Sequence, residues 1–379
     1  MYTGLNRALG ADLRRTRKIQ KTRKKTKNCD IMKISSENTI KNTGGTNNMA
    51  IINTPLAAGK ITFKNRLIYP PITIAKASAD GEVTDDSLAY YEEKMHGGSF
   101  SLAIVEHCYV TQEGKASNGQ VSIADDAKIQ GLAKLARVIK GAGTKAVVQI
   151  NHAGSCTSAE VTGMTLKGAS PVQNPRQGGV PEEMTKTEIR GVVEAFRAAA
   201  ERGKKAGFDG VEIHSAHSYL LNQFYSPLTN LRNDEYGGKL ENRLKIHLEV
   251  IEAVRKAVGK DYPIFLRLGA CDHMPGGNTI EDAVKAAKIL EDAGIDILDI
   301  SGGMCGYVNP ESSEPGYFGE ESKAVKAAVN IPVITTGGVK APEDVEALLQ
   351  AGAGDLVGVG RTVMQDSAWA GRTIGFYRD

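Results

Sequence analysis

The feature that most constrains the fold is an alternation repeated eight times along the chain, a short β-branched run followed by a helical pattern. The candidate strands are 66–70, 101–106, 146–150, 210–214, 264–268, 297–301, 333–336 and 356–359. Several are continuous apolar runs, as strands covered on both faces must be. Three are preceded by one recurring phrase: Ala206-Gly-Phe-Asp209, Ala293-Gly-Ile-Asp296 and the shortened Ala353-Gly-Asp355. Each reads as a helix end stopped by glycine and turned into the next strand. Thr185-Lys-Thr-Glu188 has capping-box spacing, and Pro342 stands where a first-turn proline belongs. Strand–helix units in this number predict a (βα)8 TIM barrel spanning 49–379, with an open doubly wound sheet as the alternative.

Charge separates this body from what precedes it. The whole chain of 379 residues carries +3, yet residues 1–48 hold 12 Lys and Arg against 3 Asp and Glu. The remainder therefore has 35 basic and 41 acidic side chains, an ordinary surface with nothing to draw it to nucleic acid. The basic extension has too little apolar content to fold alone and is expected to be disordered, with Thr43-Gly-Gly-Thr-Asn-Asn48 as a linker. A start of translation upstream of Met49 would account for it; an RNA- or membrane-contacting arm or a transit peptide is the functional alternative. No run approaches the ~18 apolar residues of a membrane span, and the basic start lacks the apolar stretch of a secretory signal. Five widely spaced cysteines without a C-x-x-C pair give no readable zinc ribbon or iron–sulfur cluster and point to a reducing compartment, the cytoplasm.

A barrel carries its site at the C-terminal ends of its strands. Polar residues or glycines stand at all eight: Pro70-Pro-Ile-Thr73, Glu106-His107, Gln149-Ile-Asn-His152, His214 to Tyr219, Arg267, Ser301-Gly-Gly303, Gly337-Gly338 and Gly360-Arg361. His214, His217 and Tyr219 are three hydrogen-bond donors within six residues, a poor core and a good site. The glycines of the last two exits, with Arg361, suit a phosphate at a helix start. A buried Arg267 needs an anionic partner, either a carboxylate or a ligand. Gln149 offers a donor and an acceptor to an imide edge, and Thr73 one hydroxyl. Phosphate, imide edge and a cation beside developing negative charge together describe FMN. Two rivals use the same residues: a flavin-free phosphate-binding lyase or isomerase, and a hydrolase with a metal held by histidines. Against the metal, Glu212 is expected to point away from the barrel interior.

Residues 214–243, from His214-Ser-Ala-His217-Ser-Tyr219 through Asp234-Glu-Tyr-Gly-Gly238 to Glu241-Asn-Arg243, resemble the signature of the old yellow enzyme family of FMN-dependent ene-reductases and NADH:flavin oxidoreductases. Lys64-Asn-Arg66, Pro71-Ile-Thr73 and Val148-Gln-Ile-Asn-His-Ala-Gly154 are similar to the family as well. The resemblance implies FMN held by Pro71, Thr73, His107 (through its backbone), Gln149, Arg267, Gly337, Gly338, Gly360 and Arg361. It implies NADH or NADPH as reductant, and a small electrophilic alkene as substrate. His214 and His217 would bind the carbonyl or nitro oxygen of that substrate, and Tyr219 would supply the proton. Ala75 would stand in the substrate pocket where one branch has Tyr, as Thr73 stands where that branch has Cys. Ser218 replaces a frequent Gly. In some relatives a tail reaches a neighbouring subunit, which leaves a homo-oligomer open. The segment 155–183 after the third strand is expected to form a lid, a loop or hairpin insertion, and the 302–320 loop to help shape substrate choice.

Overall fold

The computed structural model describes residues 50–377; the basic extension 1–48 lies outside the described residues. Eight parallel strands close into a barrel. They are β1 (Leu67–Tyr69), β2 (Leu102–Tyr109), β3 (Lys145–Asn151), β4 (Gly210–Ser215), β5 (Ile264–Cys271), β6 (Ile297–Gly302), β7 (Val333–Thr336) and β8 (Leu356–Gly358). Each pairs with its neighbour in sequence, and β8 returns to β1 through Val357 opposite Leu67. Every expected strand is present, so the closed barrel and not the open sheet is the fold.

The recurring Ala-Gly-x-Asp phrase has a structural purpose at the bottom of the barrel. Asp209, Asp296 and Asp355 each use a carboxylate oxygen to accept the first free N–H of the preceding strand, from Ala146 (2.9 Å), Ile264 (2.8 Å) and Val333 (3.0 Å). Each Asp N–H in turn donates to the carbonyl of that same residue. The pair of bonds fixes where one strand starts against the next, and so sets register around the cylinder. Lys140, Arg255 and Lys326 pair with these carboxylates.

Side chains alternate across each strand. Those facing out, such as Ala103, Val105, Val148, Val211 and Ile213, pack under the surrounding helices. Those facing in at the lower end (Ile68, Leu102, Ile104, Val147, Phe265, Ile297, Ile334 and Leu356) form a separate apolar plug. An antiparallel hairpin that the sequence did not reveal, Leu56–Ala58 with Ile61–Phe63, closes the plug from below with Ala58, Ile61 and Phe63. Because the bottom is sealed by apolar side chains, polar groups in the upper half have only the top to open to.

The helix signals hold. Thr185 accepts from the Glu188 amide while Glu188 accepts from the Thr185 amide, and Pro342 opens its helix. The 155–183 insertion takes the form of a loop with one helical turn, Ala159–Thr162, and two two-residue strands that run parallel, Lys167–Gly168 and Glu182–Glu183.

Candidate active site

A cavity of about 470 Å3 opens at the C-terminal ends of the strands, within the ~300–1,000 Å3 of small-ligand sites. It is lined by Pro71, Thr73, His107, Gln149, His214, His217, Tyr219, Arg267, Gly337, Gly338, Gly360 and Arg361, twelve of the thirteen residues expected from sequence. The thirteenth, Ala75, is a correction. Its backbone turns left-handed (φ 53°) and leaves it exposed, outside the cavity wall, with its carbonyl against Gly119.

The His–His–Tyr cluster converges because the chain reverses sharply after β4. His217 and Ser218 both take left-handed φ, 61° and 64°, which costs non-glycine residues roughly 1–2 kcal/mol each. Buried bonds offset this: the His217 amide donates to Gly302 O, and Ser218 Oγ donates to Met304 O at 3.2 Å. The resulting bend places the His214 ring 5.1 Å from those of both His217 and Tyr219. His217 Nε2 lies 2.8 Å from Ser301 Oγ, so a substrate oxygen would compete with that hydroxyl. Burial, with neighbouring rings and Arg267, holds both imidazoles neutral, well below their ordinary range. Burial pushes Tyr219 the other way, above the ordinary phenol range, so it keeps its proton.

Arg267 does find a carboxylate, and this corrects the expectation for Glu212. Glu212 shares its strand face with His214 and points into the barrel, where Gln149 Nε2 donates to its Oε2 at 2.6 Å. Asp299 lies beside Arg267, Oδ2 to Nε 3.5 Å. One guanidinium thus faces two buried carboxylates. Arg267 Nε, Glu212 Oε1 and both oxygens of Asp299 lack a hydrogen-bond partner. Burial raises both acids, Asp299 to about 6. The cluster does not make a metal site; no group of three metal-ligating side chains occurs among the described residues.

His107 enters the cavity with its side chain as well, which meets Thr73 Oγ1 at 2.8 Å, while its carbonyl accepts from Gln120 Nε2 at 2.8 Å. The preceding Glu106 accepts from the Ile74 amide at 3.1 Å and so fixes the 70–75 loop from below. Burial pushes the Glu106 pKa up to about 8. A carboxyl raised on folding costs stability as pH climbs from its unfolded value through its folded one. Glu106→Gln should therefore gain on wild type by up to about 5 kcal/mol between pH ~4.5 and 8. Melting temperatures that run parallel over that interval would show that folding leaves the Glu106 pKa unshifted.

At the far end Gly337 and Gly338 have φ of 118° and 67°, and Gly360 precedes the helix Arg361–Gln365. The ring of Tyr317 lies against both glycines, and Arg361 donates to its hydroxyl. A phosphate seated here would replace that phenol, and a charged acceptor makes the stronger bond to Arg. Over the mouth, Arg176 of the insertion donates to His217 O at 3.0 Å and covers Tyr307 of the 302–320 loop at 5.2 Å. Arg176, Tyr307, Tyr317 and the role of Ser301 were not legible in sequence beyond the expectation that these loops shape the pocket.

A guanidinium whose Nε lacks a hydrogen-bond partner at the barrel centre, a nearby amide and a glycine–arginine cup at one end fit a flavin mononucleotide: the class is an FMN-type (βα)8 oxidoreductase barrel. Residues 52–374 match the NADH:flavin oxidoreductase / NADH oxidase family, and the chain belongs to it, with FMN as its cofactor. The chain is 38% identical to a NADH oxidase of Thermoanaerobacter brockii over 82% of its own length and 48% of that protein's, so it spans about half of that relative. It is 38% identical to a NADPH dehydrogenase of Bacillus licheniformis, over 83% of this chain and 91% of that one. In structure it resembles the old yellow enzyme homologue of Zymomonas mobilis, with a TM-score of 0.75 at 25% identity over 86% and 92% of the two chains.

Proposed function

We propose that the protein reduces the activated C=C bond of an α,β-unsaturated carbonyl or nitro compound at the expense of NADH or NADPH. The observation that carries this is the convergence of two neutral imidazoles and a protonated phenol on one cavity wall. When bound, FMN supplies the hydride. His214 Nδ1 is buried without a partner, which leaves Nε2 to meet the substrate oxygen. His217 reaches the same oxygen as Ser301 gives way. Donation from both polarises the double bond and stabilises enolate charge, each donor contributing about 3 kcal/mol in such settings. Tyr219 delivers the proton to the other carbon and is reprotonated from solvent. Pro71, Thr73, Gln149 and Arg267 would hold the ring; Gly337, Gly338, Gly360 and Arg361 would hold the phosphate.

Purified protein should carry FMN absorbance that bleaches anaerobically with NADH or NADPH and returns on adding an enone. His214→Ala should weaken binding of phenols, which mimic the substrate oxygen, by at least tenfold, about 1.4 kcal/mol. Zinc in stoichiometric amount without flavin would sink the proposal, and unchanged phenol affinity would remove His214 from the oxygen site.

A further inference from the structure

His107 sits where the β2–β3 ladder slips. Val105 pairs with Val148, but Cys108 pairs with Ile150, so β2 carries one extra residue between them. Strict alternation would put His107 on the outer face with Ala103 and Val105; the bulge turns it inward and sends Cys108 out instead. Bulges beside active sites commonly re-aim a side chain in this way.

The surroundings then settle which ring nitrogen carries hydrogen. Gln120 Oε1 accepts from the Ala116 amide at 2.7 Å, and Gln120 Nε2 donates to His107 O at 2.8 Å. Both partners are backbone groups of fixed polarity, so the carboxamide cannot be flipped. Its second N–H faces His107 Nδ1 at 2.9 Å, and Asn151 Nδ2 stands 3.2 Å from the same atom. Nδ1 must therefore accept, and in a neutral ring the hydrogen is on Nε2. Burial pushes the ring pKa down to about 4, with Arg267 adding to the effect, so the ring is neutral. Nε2 lies 2.8 Å from Thr73 Oγ1.

We infer that His107 is a positioning residue: its Nε2–H donates to Thr73 Oγ1 and so leaves the single hydroxyl hydrogen of Thr73 free to point into the cavity. Two backbone groups outside the site, the Ala116 amide and the His107 carbonyl, thereby determine that Thr73 offers a donor and not an acceptor. The consequence for redox chemistry rests on the reading that FMN lies in this cavity. The isoalloxazine gains negative charge on reduction, and a fixed donor favours the reduced form.

The test has two arms. In the FMN-loaded protein, His107→Ala should shift the reduced-to-oxidised flavin ratio at fixed poise toward oxidised by about 3- to 10-fold, the size of one net hydrogen bond. In a Thr73→Val background the same substitution should shift nothing further. His107→Gln, which keeps an N–H donor, should restore most of the wild-type ratio. An equal shift in both backgrounds, or none in either, overturns the inference. The second arm needs no flavin: ring ¹⁵N–¹H correlation spectra should show His107 protonated on Nε2 and bare on Nδ1 above about pH 5. A hydrogen on Nδ1 overturns it, whereas failure to bind FMN would overturn the functional proposal and leave this arm standing.

Discussion

Tyr219→Phe is expected to slow reduction of an enone by pre-reduced enzyme by about 10²- to 10⁴-fold, the usual contribution of a positioned general acid. Flavin reduction by NADH or NADPH should stay nearly unchanged. The separation follows from geometry: the phenol is packed 5.1 Å from both His214 and His107 and shapes the cavity wall chiefly through its ring, which Phe retains. What Phe lacks is the one hydroxyl that burial keeps protonated. Because burial also holds both imidazoles neutral, neither they nor the phenol should put an inflection into the wild-type enone step between about pH 6 and 9. Stopped-flow measurement of the two half-reactions checks this directly. Equal losses in both would remove Tyr219 from the proton-donor role.

Arg267→Met should have the largest effect on the protein as a whole, for two reasons that can be separated. The substitution leaves Asp299 and Glu212 facing each other in the buried barrel centre, with three of their four oxygens already unpartnered. Breaking a buried ion pair from one side typically costs about 3–5 kcal/mol. The sign with pH is fixed. Burial already raises both acids, and losing the cation raises them further. Folded acids with raised pKa values hold protons that the unfolded chain has released, so stability falls as pH rises through the folded values. The melting temperature of Arg267→Met should thus fall below wild type by more at pH 8 than at pH 5. Adding Glu212→Gln and Asp299→Asn should recover stability but not FMN affinity, since the cation that the proposed function sets beside the flavin is still missing. Recovery of both would assign Arg267 a purely structural role.

How far the site was legible depends on what each residue needed from elsewhere. Gly337, Gly338 and Gly360 announce themselves because their requirement is local: a left-handed φ or a helix start can be read from neighbours in sequence. His214, His217 and Tyr219 were found for a similar reason, since one β4 exit supplies all three. Glu212 was given the wrong direction, and its partners could not be named, because they are not local. Gln149, which donates to it, lies 63 residues away, and Arg267 and Asp299 come from two other strands. Strand alternation in fact puts Glu212 on the same face as His214; reading it against its neighbours Val211 and Ile213, which face out, correctly gives the inward direction. Ala75 was placed by position relative to a motif, and a single left-handed backbone angle took it out of the wall.

The sequence by itself determined the barrel, since eight buried strands joined by amphipathic helices can satisfy their backbone and hide their apolar faces by closing on one another. It also determined which end would hold chemistry, because polar residues and glycines collect at the strand exits. Only the tertiary structure decided that His107 turns inward, that Arg267 shares two carboxylates and that Tyr317 covers the glycine cup. A bulge is a mismatch between two strands, and the polarity of a hydrogen bond is set by partners on other elements; neither property belongs to any one stretch of chain.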